Sequence, residues 1–311
     1  MKLDLISAWN DSGGGYLTRL LDGALDTQVW PYELLLGNDD IKDGFEGWFK
    51  SCYRWPGFGD QTITINEAAE FFDKTQDPEI KSVLREGAAS KHADFAIELD
   101  IGEWRDDFLS KIASLSSIRR ADLLPAYISP VRHAVWADDG EDKRVIGHCP
   151  VIILDAVKIW KEQPQLKFLH IVRNPANCFM DFSQRHKGVD PCRYALKWKT
   201  VNDYALTLAK LFPHSVKLVS LPALLLEKAD IMQSLCGWLE VNFDERVLEP
   251  TWLSCPLNHR KMGPFGGVPE VSIDRERDLF NKHALEHEKI LQLCAGSLKA
   301  FQDFGFDLTG Q

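Results

Sequence analysis

The chain has 311 residues, of which 45% are hydrophobic and 26% are charged, a composition typical of a soluble globular protein. Its length suits one large α/β domain or two smaller ones. Because the formal net charge is −10, we expect no nucleic acid and no anionic membrane as a partner, and a small neutral or cationic molecule is favoured.

Cysteine usage and the lack of targeting signals predict a cytoplasmic protein. The seven cysteines are odd in number and show no CxxC spacing, which indicates reduced thiols. The apolar run Leu3–Trp9 is too short and too acidic for a signal peptide. No apolar run approaches the roughly 20 residues of a membrane span.

The first predicted element is a β-strand at Leu3–Trp9, followed by the glycine-rich turn Asn10–Gly15 (NDSGGG) and a helix at Tyr16–Leu21. In such an arrangement backbone N–H groups and the helix N-terminus bind phosphate oxygens. The lysine of the GxxxxGK[ST] loop is missing. The glycines could serve turn geometry alone, but their place between strand and helix favours anion binding.

Residues 30–140 are predicted to form a helical insertion with aromatic-rich turns, with helices at Asn66–Phe72, Pro78–Glu86 and Arg105–Ser114. The aromatic side chains either line a substrate pocket or, as is more common, close a core. This stretch is the least informative part of the sequence.

The central unit, Val145–Arg185, reads as strand, helix, strand and helix. The run Lys167–Val172 (KFLHIV) is typical of a strand buried on both faces of a parallel sheet. It ends at Arg173, and Pro175 suits the first turn of the next helix. An arginine at the carboxyl end of such a strand lies where open α/β sheets bind ligands, and its planar fork suits phosphate. An arginine that pairs with a neighbouring acid remains an equal alternative.

Further elements are predicted along the rest of the chain: a helix at Arg193–Phe212, a strand at Val216–Leu221, and helices at Ala229–Leu239 and His283–Phe304. We find no internal repeat and no interdomain linker. The sequence therefore predicts one α/β domain over residues 1–311, with a parallel β-sheet flanked by helices.

Four segments occur in register along the chain: Asn10–Leu17, Phe168–Pro175, Val216–Thr251 and Arg260–Gly263. Together they resemble the sulfotransferases that use 3′-phosphoadenosine 5′-phosphosulfate (PAPS). The first is similar to that family's 5′-phosphosulfate loop P-[RK]-S-G-T-T and the second to its 3′-phosphate strand. The third is similar to its strand, acidic loop and helix, and the fourth to its late R-K-G loop. The resemblance implies the P-loop-like sulfotransferase fold over nearly the whole chain outside residues 30–140.

The resemblance also implies roles for individual residues. The 5′-phosphosulfate would be bound by Ser12, Gly13, Gly14, Gly15 and Tyr16. The 3′-phosphate position would involve Arg173 and Asp181, with Arg260, Lys261 and Gly263 in the loop that folds over the nucleotide. PAPS is the expected donor, its product is 3′-phosphoadenosine 5′-phosphate (PAP), and no metal is expected.

The segment Gly147–Pro150 (GHCP) resembles the family's K-T-H-x-P motif, whose histidine is the general base. His148 suits that role because the ordinary pKa of histidine lies near the operating pH. A hydrogen-bonded histidine at the end of a strand is the alternative interpretation, and His133 and His186 are the fallback bases.

Two departures from the family pattern concern the donor site. Asp11 stands where the family has Lys or Arg, and Gly14 and Gly15 replace the two threonines. Because the lost cation offsets charge that develops on the bridging oxygen, Ser12, the loop N–H groups or Arg19 would have to compensate. Asp181 replaces the serine of the 3′-phosphate site, and Ser183 lies too far round the helix to take its place.

The leading prediction is transfer of a sulfonate group from PAPS to a hydroxyl or amine of a small molecule, either a natural product or a saccharide. One alternative, favoured by Asp11 and Asp181, is a catalytically inactive sulfotransferase-like protein that binds a nucleotide or a partner. Another is a P-loop-type kinase, which requires a loop lysine and a Ser/Thr for Mg²⁺ that this loop does not supply. The sequence predicts no particular oligomeric state.

Overall fold

The computed structural model describes residues 2–37, 41–42, 44–45, 47–75, 100–136, 143–257, 273–274, 276 and 284–308. Its centre is a five-stranded parallel sheet in the order β2-β3-β1-β4-β5. The strands are β1 (Lys2–Ala8), β2 (Thr27–Glu33), β3 (Arg144–His148), β4 (Phe168–Val172) and β5 (Val216–Ser220). A small antiparallel pair, β6 (Thr251–Trp252) and β7 (Cys255–Pro256), follows.

Helices connect the strands and cover the sheet. Among those described, none is both long enough and apolar enough to cross a membrane. They are α1 (Gly14–Leu21), α2 (Ile65–Thr75), α3 (Ile101–Ala113), α4 (Arg120–Trp136), α5 (Ala156–Glu162), α6 (Pro175–Arg185), α7 (Pro191–Leu211), α8 (Leu221–Leu226), α9 (Lys228–Leu239) and α10 (Ala284–Asp303). Short 3₁₀ helices occur at Ser51–Tyr53, Ile152–Asp155 and Glu245–Leu248.

Both faces of the sheet are buried, which is why its central strands are almost continuously apolar. Successive residues of one strand point to opposite faces and enter two different hydrophobic cores. Side chains of α1, α8 and α9 belong to the core on one face, and those of α2–α7 and α10 belong to the core on the other. Leu5, Val145 and Phe168 belong to one core, and Ile6, Ile146 and Leu169 belong to the other.

The predicted fold class is confirmed, and the strands predicted at the start of the chain and at Lys167–Val172 and Val216–Leu221 lie within one residue of β1, β4 and β5. The prediction that residues 30–140 are helical is wrong at its start, because residues 30–33 belong to β2. The described part of that stretch otherwise contains α2, α3 and α4. The helix predicted at Pro78–Glu86 lies outside the described residues.

Candidate functional site

Most of the predicted site residues that the structure describes lie at or just after the carboxyl ends of three neighbouring strands, β3, β1 and β4. β1 is flanked by β3 and β4, so the glycine loop after β1 lies between His148 and Arg173. The connection after β1 runs towards β2, whereas the connection after β4 runs towards β5. Such a reversal opens a crevice between β1 and β4, and this is where open α/β sheets bind ligands.

The three glycines of the loop after β1 have different structural roles. Gly13 has φ +95°, a left-handed conformation that favours glycine. A β-carbon added to Gly14 would lie 2.4 Å from Nε2 of His148 and 2.8 Å from Cβ of Ala8. One added to Gly15 would meet nothing within 4 Å. Only the first two positions therefore require glycine.

The start of α1 provides backbone donors for an anion. Gly13 occupies the N-cap position and supplies no side-chain hydrogen bond to the first turn. The first amides of a helix have no partner within the helix and attract negative charge. Ser12 is fully buried, with Oγ 3.4 Å from Sγ of Cys178 on α6, and Tyr16 is half-buried in the first turn of α1.

His148 is the last residue of β3 and is paired in register with Ile6 of β1. Its side chain is only 9% exposed. The imidazole lies against the first residue of α1, because its Nε2 occupies the space that a side chain on Gly14 would need. The structure thus brings together the histidine and the glycine loop that the sequence predicts to act together.

Arg173 follows β4 and is 3% exposed, and carboxylates surround its guanidinium. Nε and Nη2 donate to the two carboxylate oxygens of Glu276 at 2.7 and 2.6 Å. Nη1 donates to Oδ2 of Asp181 and to the backbone oxygen of Asp11, both at 2.7 Å. Burial alone would lower the pKa of Arg173, but the facing carboxylates raise it above its ordinary value, so the group stays charged.

A second ion pair joins Asp11 of the glycine loop to Arg185 in the last turn of α6. Burial raises the pKa of Asp11, and the charge of Arg185 opposes that shift. Within the part of the chain that the structure describes, the guanidinium groups of Arg173 and Arg185 therefore face the carboxylates of Asp11, Asp181 and Glu276.

Sequence reasoning missed Glu276 and Asn177. Nδ2 of Asn177 donates to Oε2 and to the backbone oxygen of Glu276, both at 3.0 Å, which fixes the carboxylate against Arg173. Glu276 lies 103 residues after Arg173 and carries no motif, so no sequence signal indicated the contact. Asn177 lies in the first turn of α6, four residues after Arg173, so it could have been predicted as a further polar group at this edge of the sheet.

Other predicted residues stand apart or lie outside the described residues. Arg19 donates to the backbone oxygen of Pro31 at 3.0 Å and lies 3.9 Å over the ring of Trp252, and none of these side-chain contacts joins it to the glycine loop. The ring of His186, at the end of α6, packs against Phe182. The structure describes neither the side chain of His133 nor residues Arg260, Lys261 and Gly263.

Comparison with known proteins supports the sulfotransferase fold. The solved sulfotransferase domain of the olefin synthase from Synechococcus PCC 7002 has a TM-score of 0.54 and 17% identity, covering 99% of this chain and 96% of that one. The sulfotransferase domain from the curacin biosynthetic pathway has a TM-score of 0.52 and 12% identity, covering 95% and 98%. No protein-family model and no curated protein matches the chain. At these identities the likeness shows the fold alone.

Proposed function

We propose that the protein is an enzyme that transfers a sulfonate group from PAPS to a hydroxyl or amine of a small-molecule acceptor, a natural product or a saccharide. The observation that carries the proposal is the contact of His148 with Gly14, because it sets an acid–base group at the N-terminus of α1. The fold of the chain, shared with solved sulfotransferase domains, adds support.

The residues fit the two ends of the donor unequally. The positive φ of Gly13 and the uncapped start of α1 suit a 5′-phosphosulfate. Near Arg173, however, Glu276 already occupies the guanidinium fork. A 3′-phosphate fits there only after Glu276 leaves, and the undescribed Arg260 and Lys261 are proposed to add charge.

When bound, the donor supplies the sulfonate: the acceptor oxygen or nitrogen bonds to sulfur while the bond from sulfur to the 5′-phosphate oxygen breaks, and PAP leaves. The first N–H groups of α1 stabilise the charge that develops on the leaving phosphate. His148 accepts the proton that the acceptor loses.

A cytoplasmic location belongs to the proposal. The six cysteines whose side chains are described are free thiols, as expected in a reducing compartment. The net charge of −10 favours a small-molecule acceptor over a nucleic acid or an anionic membrane.

Replacement of His148 by glutamine tests the enzymatic role. We expect PAP to bind this variant within threefold of the unaltered protein in isothermal titration, whereas PAP release from PAPS with an acceptor panel falls about 10²–10⁴-fold. Loss of PAP binding on Arg173→Ala serves as the control for the donor site. If turnover were unchanged in His148→Gln, His148 would not be the general base. If neither the unaltered protein nor any variant bound PAP, PAPS would not be the donor.

The second candidate is a nucleotide-binding protein without turnover. Its support is the carboxylate-rich surroundings of Arg173, where Glu276 and Asp181 neutralise the cation expected to hold the 3′-phosphate. It predicts that the unaltered protein binds a nucleotide but transfers no sulfonate, and that His148→Gln leaves nucleotide binding unchanged.

A further inference from the structure

We propose that Glu276 determines which nucleotides the donor site accepts, because its carboxylate competes with a 3′-phosphate for Arg173. This inference rests on the proposed function, since it concerns the same donor site. It assigns a specificity-determining residue that lies outside every segment with family resemblance.

The first support is that Arg173 and Asn177 already form a complete anion site. Glu276 accepts two parallel hydrogen bonds from Arg173, at 2.7 and 2.6 Å, and a third from Asn177 at 3.0 Å. Arg173 and Glu276 are both 3% exposed. A paired fork of this kind binds carboxylate and phosphate oxygens by the same geometry.

The second support is that a phosphate cannot share this fork with Glu276. The remaining Nη1 of Arg173 is engaged by Asp181 and by the backbone oxygen of Asp11. A 3′-phosphate would place its negative charge beside the carboxylates of Glu276 and Asp181, both of which already accept hydrogen bonds from Arg173. It therefore has to displace Glu276, a competitor from the same chain whose effective concentration is high.

A nucleotide without a 3′-phosphate has no such competitor. Dinucleotide-binding domains discriminate in a similar way, because an acidic residue accepts a ribose hydroxyl where an arginine would accommodate a phosphate. Glu276 should consequently weaken the binding of PAP while leaving that of AMP almost unchanged. The ratio of the two affinities then measures its role.

The test compares PAP and AMP by isothermal titration with the full chain and its variants. In Glu276→Gln and Glu276→Ala we expect PAP affinity to rise at least tenfold, with AMP affinity changed less than threefold. The double variant Arg173→Ala/Glu276→Ala should lose the gain. Glu249→Gln, which removes the same charge from an exposed side chain, should leave the ratio unchanged.

Thermal unfolding confirms that each variant is folded, and Glu276→Gln preserves the side-chain volume if the alanine variant does not fold. If the unaltered protein and Glu276→Gln both bind PAP with the same ratio of PAP affinity to AMP affinity, the inference is overturned and the donor proposal stands. PAP binding seen only in the Glu276 variants would support both. If neither the unaltered protein nor any variant binds PAP, removal of the Glu276 carboxylate has not made Arg173 available to a 3′-phosphate, and both proposals fail.

Discussion

Gly14, the first residue of α1, lies directly against His148, the last residue of β3. The ring occupies the volume in which a Gly14 side chain would stand, and Ala8 closes the same space from β1. The loop pattern that this segment resembles has threonine at this position. Because a side chain on Gly14 would overlap the ring of His148, the glycine and the buried histidine depend on each other in this chain. Gly15 also stands where the pattern has threonine, but a β-carbon at this position would meet nothing within 4 Å.

Replacement of Gly14 by alanine should therefore displace His148. We expect a destabilisation of about 1–3 kcal/mol, typical of overpacking, and a loss of at least tenfold in turnover because the base moves. Gly15→Ala is the matched control, and its helix propensity should stabilise the protein by about 0.5–1 kcal/mol. Urea denaturation and the PAP-release assay measure both effects. Equal behaviour of the two variants would contradict the packing argument.

The site could be predicted from the sequence only where its residues follow a strand. His148, Arg173 and the glycine loop are each adjacent to an apolar run, so topology alone brings them to one edge of the sheet. The sequence allowed two interpretations of Arg173, binding of a phosphate or pairing with a neighbouring acid. In the structure its guanidinium pairs with Asp181 and Glu276. Glu276 was beyond prediction, because a contact across 103 residues leaves no local pattern.

Two of the elements that the sequence analysis missed, β2 and α4, contain proline. β2 reads TQVWPYE, and Pro31 lies where its register with β3 shifts, between Val29 and Glu33. Proline is tolerated there because β2 is an edge strand. α4 likewise contains Pro125 and Pro130, which disfavour a helix by local rules, and burial of residues such as Leu124 and Ile128 stabilises it.

The contact between β4 and α7 includes a buried histidine, His170. Its Nε2 lies 3.0 Å from Oδ1 of Asn202. Because Nδ2 of Asn202 donates to the backbone oxygen of Trp198, its Oδ1 faces the ring and Nε2 carries the proton. Burial lowers the pKa of His170 to about 4, so the ring stays neutral in the folded protein.

This histidine should make the protein less stable in acid. The unfolded chain binds a proton at His170 near pH 6.5 and the folded chain does not, so its stabilising contribution is present above that pH and is lost as the pH falls towards 4. Between pH 7 and 5 we expect the free energy of unfolding to fall about 2 kcal/mol more in the unaltered protein than in His170→Leu. Urea titrations at both pH values measure it, and parallel losses in the two proteins would refute the assignment.

At the scale of the whole molecule, α10 is connected by packing to the loop after β4, which carries Arg173. α10 buries Ile290, Cys294 and Phe301 in the core that covers one face of the sheet. The ring of Phe301 lies 6.2 Å from that of Trp198 on α7. Nε1 of Trp198 in turn donates to the backbone oxygen of Arg173 at 3.2 Å. Packing at the end of the chain therefore supports the loop after β4.

Replacement of Phe301 by alanine should destabilise the entire molecule, because the fully buried ring leaves a cavity in the larger core. We expect a loss of about 3–5 kcal/mol in urea denaturation, with circular dichroism and tryptophan fluorescence changing together. Phe304→Ala, at a ring that is 38% exposed, should cost about 1 kcal/mol or less. If the Phe301 variant lost its fluorescence transition before its secondary structure, α10 and the sheet would unfold as separate units, and the shared core would not govern stability.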